Sequence, residues 1–206
     1  MFYIFPRAVS KKDCNYFIKY CLNKIKWEKD AMIGDSATAD TLLVDYSIRK
    51  TDIAFLPVKK DKIHKIILAY IEKANANFFH YKIKGFEPIQ FARYQKDGHY
   101  DWHQDFSGNP HYQHKDASRK LSLTLSLSNP DTYEGGYLEF FDRELTGGYS
   151  EVEIDGVINS KEQVREQVRE QGSIIVFDSR DFHRVTPITK GIRYSIVCWS
   201  VGPNLV

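Results

Sequence analysis

Helical periodicity in the first third of the chain, followed after Gly85 by short alternating runs punctuated with Gly, Pro, Asn and Asp, predicts an α+β domain. From Ser10 to Trp27 the residues Cys14, Phe17, Ile18, Cys21, Leu22 and Ile25 recur at three-four spacing behind Ser10 as N-cap, which is the pattern of an amphipathic helix. A second helix is expected between Val58 and Phe79, after the break at Pro57, with Ile63, Ile66, Ile67, Tyr70, Ile71 and Ala74 on one face. Between the two, Ala31 to Asp40 lacks periodicity and reads as a loop, and Ser47 to Leu56 reads as extended.

The clearest strand is Leu121 to Ser128, where Leu121, Leu123, Leu125 and Leu127 alternate with hydroxyl residues, so that one face is apolar and the other polar. Gly135-Gly136 turns the chain into Tyr137 to Phe141, and further strands are expected at Ser173 to Phe177 and Ile192 to Val201. Lys161 to Gln171 repeats Glu-Gln-Val-Arg and reads as an exposed loop or short helix, within an insertion over 142–171 solvated on most sides. No linker divides the chain, so residues 1–206 are expected to form one domain, with 1–84 as helical support and 85–206 as the core.

Composition narrows the partners. With 29 basic and 27 acidic side chains in 206 residues the net charge is +2, which argues against a nucleic-acid clamp or a polybasic membrane binder. The apolar opening Met1 to Phe5 is broken by Pro6 and Arg7, far short of a signal-peptide core, and no window approaches about 18 apolar residues. A cytoplasmic location without membrane contact is expected. Cys14, Cys21 and Cys198 are odd in number and form no C-x-x-C pair, so they read as free core or surface thiols.

The chemistry concentrates in two segments. In an extended strand residues two apart project to the same side, so the imidazole of His103 and the carboxylate of Asp105 can converge on one ion. His183 follows the hydrophobic run Ile174 to Phe177 and is the candidate third ligand. Two histidines and one carboxylate on one face of an octahedral ion are the ligand set of non-haem iron(II) oxygenases, which leaves positions open for co-substrate and dioxygen. Ten residues beyond His183, Arg193 shares a predicted strand face with Ser195, Val197 and Trp199. Facing inward, it needs an anion: a divalent ion, Asp105, a bound dicarboxylate and Arg193 together are neutral. Spacing alone equally allows Arg193 to snorkel outward.

These segments resemble the iron(II)- and 2-oxoglutarate-dependent dioxygenases of the prolyl-4-hydroxylase-like branch. The resemblance is carried by Gln90-Phe-Ala-Arg-Tyr94, Gly98-His-Tyr-Asp-Trp-His103-Gln-Asp105, the strand from Arg119, Tyr133-Glu-Gly-Gly-Tyr-Leu-Glu-Phe, Gly172 to Phe177, His183-Arg-Val-Thr-Pro and Gly191-Ile-Arg193. The wording is most similar to that of PKHD-type hydroxylases. The resemblance implies a double-stranded β-helix, or jelly roll, buttressed by N-terminal helices, with His103, Asp105 and His183 holding Fe(II) and Arg193 holding the distal carboxylate of 2-oxoglutarate. It implies that Tyr94 hydrogen-bonds the co-substrate and that Tyr100 and Trp199 lie near the substrate. The activity implied is hydroxylation of an amino-acid residue, prolyl in a peptide or protein, using O2, with 2-oxoglutarate converted to succinate and CO2 and ascorbate as a further cofactor; the alternatives are the same chemistry on a nucleic-acid or small-molecule substrate, or a non-catalytic jelly-roll binding domain. One relative carries a tyrosine where this chain has Ser126. His111 and His114, in the loop beyond Asp105, together with Arg49, Arg119 and Arg184, are read as solvated surface groups that could also meet a substrate.

Overall fold

The computed structural model describes residues 2–27, 33–34, 42–43, 45–57, 61–106, 117–141, 152–154, 157–159 and 161–204. In chain order the strands are β1 (Phe2–Phe5), β2 (Ile33–Gly34), β3 (Leu42–Leu43), β4 (Arg49–Lys50), β5 (Asp52–Phe55), β6 (Gly85–Phe86), β7 (Gln90–Tyr94), β8 (His99–His103) and β9 (Ala117–Ser126). They continue as β10 (Tyr133–Gly135), β11 (Leu138–Phe140), β12 (Val152–Ile154), β13 (Val157–Asn159), β14 (Ile174–Asp178), β15 (His183–Val185), β16 (Ile188–Gly191) and β17 (Arg193–Pro203). The helices are α1 (Lys11–Lys24), α2 (Lys62–Ala74) and α3 (Lys161–Arg169).

Two antiparallel sheets face each other as a double-stranded β-helix. The larger runs β1-β14-β9-β17-β7-β5 with β6 paired to β17, and the smaller runs β11-β15-β8-β4. Both faces of the larger sheet are covered. On its outer face Leu121, Leu123, Leu125, Leu127, Ile196 and Cys198 pack against Cys14, Phe17 and Cys21 of α1 and Ile63, Ile67 and Ile71 of α2. Its inner face meets Leu138, Phe140 and Val185 of the smaller sheet through Ile4, Ala92, Tyr94, Ile175 and Phe177. At about 1.5–3 kcal/mol for each large apolar side chain buried, the helix-covered face is the main rigidifying layer of the molecule.

The helices start where their caps direct. Ser10 Oγ accepts from the Asp13 backbone N–H at 3.1 Å, and Asp61 accepts from the His64 backbone N–H at the same distance, which satisfies amide donors that a helix start leaves open. Asp61, rather than the break at Pro57, therefore sets the start of α2. At its other end α2 widens into a π turn over Asn75–Phe79, where Asn75 clasps the Tyr81 backbone through both ends of its amide.

Four expectations are corrected. First, the Met1 to Phe5 segment, read only as too short for export, supplies β1, an edge strand in register with Ile174–Phe177. Together with β4 and β5 it means that strands from before Gly85 complete both sheets. Second, the extended segment expected over Ser47 to Leu56 begins only at Arg49, after a turn over 46–48, and divides between the sheets: Arg49–Lys50 pairs with β8 in the smaller and Asp52–Phe55 with β7 in the larger. Third, the segment read as a loop over 31–40 contains Ile33–Gly34, paired with Leu42–Leu43; the rest of it lies outside the described residues. Fourth, α3 is docked rather than solvated. The four-residue repeat puts Val164 and Val168 on one face, both buried in the inter-sheet core, and Arg165 and Arg169 over the Tyr137 ring at 3.9 and 4.6 Å. Residues 142–151 of the same insertion lie outside the described residues.

Candidate metal centre

Register brings the two distant histidines together. β15 lies beside β8 with His183 opposite His103, and β8 ends at His103, so that Asp105 sits in the bend that follows. Asp105 Oδ1 is 3.7 Å from His103 Nε2, Oδ2 is 3.5 Å from His183 Nε2, and one donor atom from each residue lies within 4.8 Å of the others. Separations of this size fit three ligands around one ion better than three mutual hydrogen bonds. Each ring is also oriented from behind: His103 Nδ1 donates to the Asp101 carbonyl at 2.7 Å and His183 Nδ1 to the Asp181 carbonyl at 2.9 Å. A carbonyl only accepts, so both protons sit on Nδ1 and both Nε2 lone pairs face Asp105.

The electrostatics favour the metal-ready protonation state. Burial, reinforced by neighbouring His183, pushes the His103 imidazole well below its ordinary value, so it stays neutral. Burial would raise Asp105, but Arg119 and a hydrogen bond from Ser122 favour its charged form and hold the carboxyl below the usual range. Ser122 is in turn linked to Ser179, with 3.0 Å between their hydroxyl oxygens. Aromatic rings pack the ligands into place: Tyr100 stacks on His103 at 3.5 Å and 13°, and Phe177 meets His183 edge-on at 4.7 Å.

Arg193 points into the same interior. Only 3% of it is exposed, its side chain reaches Ser195 Oγ at 3.3 Å and the Tyr94 ring at 5.3 Å, and among the described residues no carboxylate pairs with it. The inward option is the one realised. Gly136 makes room for it: with φ +64° it adopts the left-handed backbone, and a Cβ there would lie 2.9 Å from Arg193 Cδ. Tyr94 is the register partner of Arg193, so the structure brings these two together as the sequence suggests. Trp199 is 8% exposed and its indole Nε1 has no partner among the described residues, while Arg119 lies over its ring at 4.0 Å. Ser126 is committed elsewhere, donating to the Val168 carbonyl of α3 at 2.7 Å.

The three surface arginines separate on inspection. Arg119 is mostly buried and held by both oxygens of Glu87 at 2.8 and 2.6 Å, and Arg184 is held by Glu139, so neither is a free surface cation. Arg49 lies over the Tyr100 ring at 4.5 Å. Sequence spacing gave no sign of the Glu87–Arg119 pair or the Ser122–Ser179 link, because their partners are far apart in the chain. His111 and His114 lie outside the described residues.

The family model of the 2OG-Fe(II) oxygenase superfamily matches residues 89–201, the span that holds every residue of this centre except Arg49 and Glu87. The chain belongs to the 2OG-Fe(II) oxygenase superfamily. Among its relatives, this oxygenase is 33% identical over 113 residues to a PKHD-type hydroxylase of Pseudoalteromonas atlantica, covering 54% of this chain and 42% of that one. The match thus spans about two-fifths of that relative's length. In fold it resembles a Pseudomonas putida prolyl-4-hydroxylase, with TM-score 0.61 and 19% identity over 97% of this chain and 91% of that one. It also resembles the viral collagen prolyl hydroxylase of Paramecium bursaria Chlorella virus-1, with TM-score 0.63 and 17% identity over 98% and 96% of the two chains. Family membership and the His-Asp-His cluster support Fe(II) and 2-oxoglutarate as the cofactor and co-substrate.

Proposed function

We propose that this oxygenase holds iron(II) through His103, Asp105 and His183, holds 2-oxoglutarate through Arg193 and Tyr94, and hydroxylates a residue, prolyl, of a peptide or protein. The observation that carries the reading is Arg193: a buried guanidinium with no acid partner among the described residues, in the same fold as a neutral-nitrogen and carboxylate cluster, calls for a dianionic ligand. The donor set suits a divalent iron, and a dicarboxylate brings the centre to neutrality. When bound, iron and 2-oxoglutarate supply the oxidising chemistry, in which O2 is consumed, 2-oxoglutarate becomes succinate and CO2, and a substrate C–H becomes C–OH.

The chain's own residues position and exclude. Arg193 would grip the distal carboxylate bidentately, with Tyr94 beside it as a hydroxyl donor. Tyr100 and Trp199 would flank the substrate, and the indole N–H of Trp199, without a partner among the described residues, would donate to a substrate carbonyl. Val164, Val168, Phe140 and Phe177 keep the interior between the sheets dry. Ascorbate would serve as a supplementary reductant. A peptide substrate is favoured by the prolyl hydroxylases of similar fold, and three buried free thiols suit a reducing, cytoplasmic setting.

The test is direct. Anaerobic addition of iron(II) and 2-oxoglutarate should give a visible charge-transfer band, and in air succinate should accumulate. His103→Ala and Asp105→Ala should abolish both, and retention of both by either variant would overturn the assignment. Proline-containing peptides should then gain one oxygen atom by mass spectrometry, only when 2-oxoglutarate is present.

A further inference from the structure

Resting on the reading above, we propose that Arg49 selects the substrate by receiving a carboxylate that the substrate carries within two residues of the hydroxylated carbon. Arg49 is on β4, the edge strand of the smaller sheet, directly opposite Tyr100 in the register with β8. Its guanidinium lies 4.5 Å from the Tyr100 ring centroid, and that ring lies 3.5 Å from the His103 ring, so a short column joins Arg49 to the metal ligands. A peptide chain advances about 3.3–3.6 Å per residue when extended. The column is about 8 Å long from the guanidinium to the His103 ring, a little over two residues of extended chain, and the reach of an acidic side chain covers the excess, so a carboxylate within two residues of the carbon presented to the metal can meet Arg49.

The cation lacks a partner where its neighbours have one. Arg119 caps Trp199 as Arg49 caps Tyr100, but Arg119 is neutralised by Glu87. Arg184 is neutralised by Glu139, Arg93 by Asp52 and Arg180 by Asp178. Arg49 has no ion pair among the described residues, and its Nε is buried without a hydrogen-bond partner. Of the described acids near it, Asp97 pairs with Lys50, while Asp45 and Asp101 are exposed and accept from Ser47 and from the Trp102 backbone N–H.

The ring stack does not account for this arrangement. A cation over an aromatic face gains roughly 0.5–2 kcal/mol. A buried donor left unpaired costs roughly 1–3 kcal/mol, so the stack alone does not hold the N–H there at a profit. Stacking leaves the N–H groups in the guanidinium plane, directed past the ring edge, where a carboxylate can take two of them. Charge gives the same answer. Iron(II), Asp105, 2-oxoglutarate and Arg193 balance, Arg119 and Glu87 balance, and among the described residues Arg49 has no ion-pair partner of its own. One carboxylate on the substrate supplies it.

The experiment uses the protein loaded with iron(II) and 2-oxoglutarate under argon and a random hexapeptide library with acetyl and amide caps, the retained peptides being sequenced by mass spectrometry. The wild type should retain peptides enriched about tenfold or more in Asp or Glu, the scale of one charge-assisted contact. Arg49→Gln should abolish that enrichment, Arg49→Glu should turn it toward Lys and Arg, and Arg49→Lys should restore part of it. On admitting air, the oxygen gained should lie within two residues of the acid. A second library with free C-termini locates the source: a preference confined to it places the carboxylate at a chain end and still supports the proposal. Absence of a carboxylate preference from both libraries, no retention from either, an unchanged preference in Arg49→Gln, or an oxygen farther than two residues from the carboxylate would each overturn it. Succinate formed by the wild type without peptide is read on the same preparation. Its absence would sink the enzyme reading while leaving the charge preference of the retained peptides to judge Arg49.

Discussion

Replacing Arg193 with methionine should move the ligand-free protein and the ligand-bound protein in opposite directions. In the chain alone the guanidinium is 3% exposed and has one neutral hydrogen bond at 3.3 Å and one ring face at 5.3 Å. Methionine follows a similar path without charge, and exchanging buried ionic groups for apolar ones of similar volume commonly stabilises by about 1–4 kcal/mol. For a chain of this size each kcal/mol is about 2–4 °C, so the melting temperature of Arg193→Met without 2-oxoglutarate should rise by several degrees. With co-substrate the sign reverses. Taking one partner from a buried pair costs about 3–5 kcal/mol, which at 1.36 kcal/mol per decade weakens 2-oxoglutarate roughly 150- to 5,000-fold. Wild type at a hundred times its Kd should gain about 2.7 kcal/mol from the ligand, and the variant should gain almost none. Thermal melts of both proteins with anaerobic iron(II), with and without 2-oxoglutarate, read the two effects separately. If Arg193→Met melts below wild type without the ligand, or keeps the ligand-induced shift, the assignment of a buried, ligand-seeking cation is wrong.

Other outcomes follow from the same structure. His103 is held neutral in the fold, so the unfolded chain binds its proton first; stability is full above the ordinary imidazole value near 6.5 and is lost as pH falls below it. At pH 5, metal-free wild type should lose about 2 kcal/mol that His103→Gln does not, as read by paired denaturant titrations. Burial pushes the thiols of Cys14, Cys21 and Cys198 up to about 12, so iodoacetamide at pH 8 should leave all three unmodified in the folded protein and alkylate them all in denaturant, by intact mass. Val164 is fully buried, and Val164→Ala should cost about 2 kcal/mol, or roughly 4–8 °C; a change within about 0.5 kcal/mol would mean that α3 is not docked.

The parts legible in the sequence were those written in local spacing. The helical stripes of α1 and α2, the alternation of β9 and the His-x-Asp pair need only a few neighbouring residues to be recognised, and all three recur in the structure. The triad was completed by His183 because a hydrophobic strand leads into it. What spacing cannot show is which acid meets which base. Arg119 and Arg49 look alike in sequence, and only the fold gives Glu87 to one and, among the described residues, no ion pair to the other. The edge strand β1 was hidden because four residues carry little periodicity, and its identity comes from the exposed edge of β14 that it covers. The docking of α3 was obscured by its charge: two valines among seven polar residues make a narrow stripe, sufficient only because Tyr137 and Glu139 receive the arginines on either side.

The polar face of β9 has a consequence for how the site is built. Ser122, Thr124 and Ser126 alternate with the leucines and point into the space between the sheets, opposite Trp199, Val197 and Ser195 of β17, and all three are buried. Alternation of this kind ordinarily marks a sheet with one wet side, yet here the polar side is interior. Two of the hydroxyls have a clear structural duty: Ser122 hydrogen-bonds Asp105 and is itself linked to Ser179, and Ser126 anchors the last turn of α3. Leucines at these positions would fill the volume beside Arg193 and leave Asp105 and the α3 carbonyl without donors. The strand therefore separates two tasks by parity. Its apolar residues lock the sheet to the helices, and its small hydroxyls keep the interior open and polar enough for a charged ligand. A single Ser122→Leu substitution should accordingly preserve the helix packing while weakening metal binding, which a chelator competition with iron(II) measures, and a variant that binds iron as wild type does would refute this division.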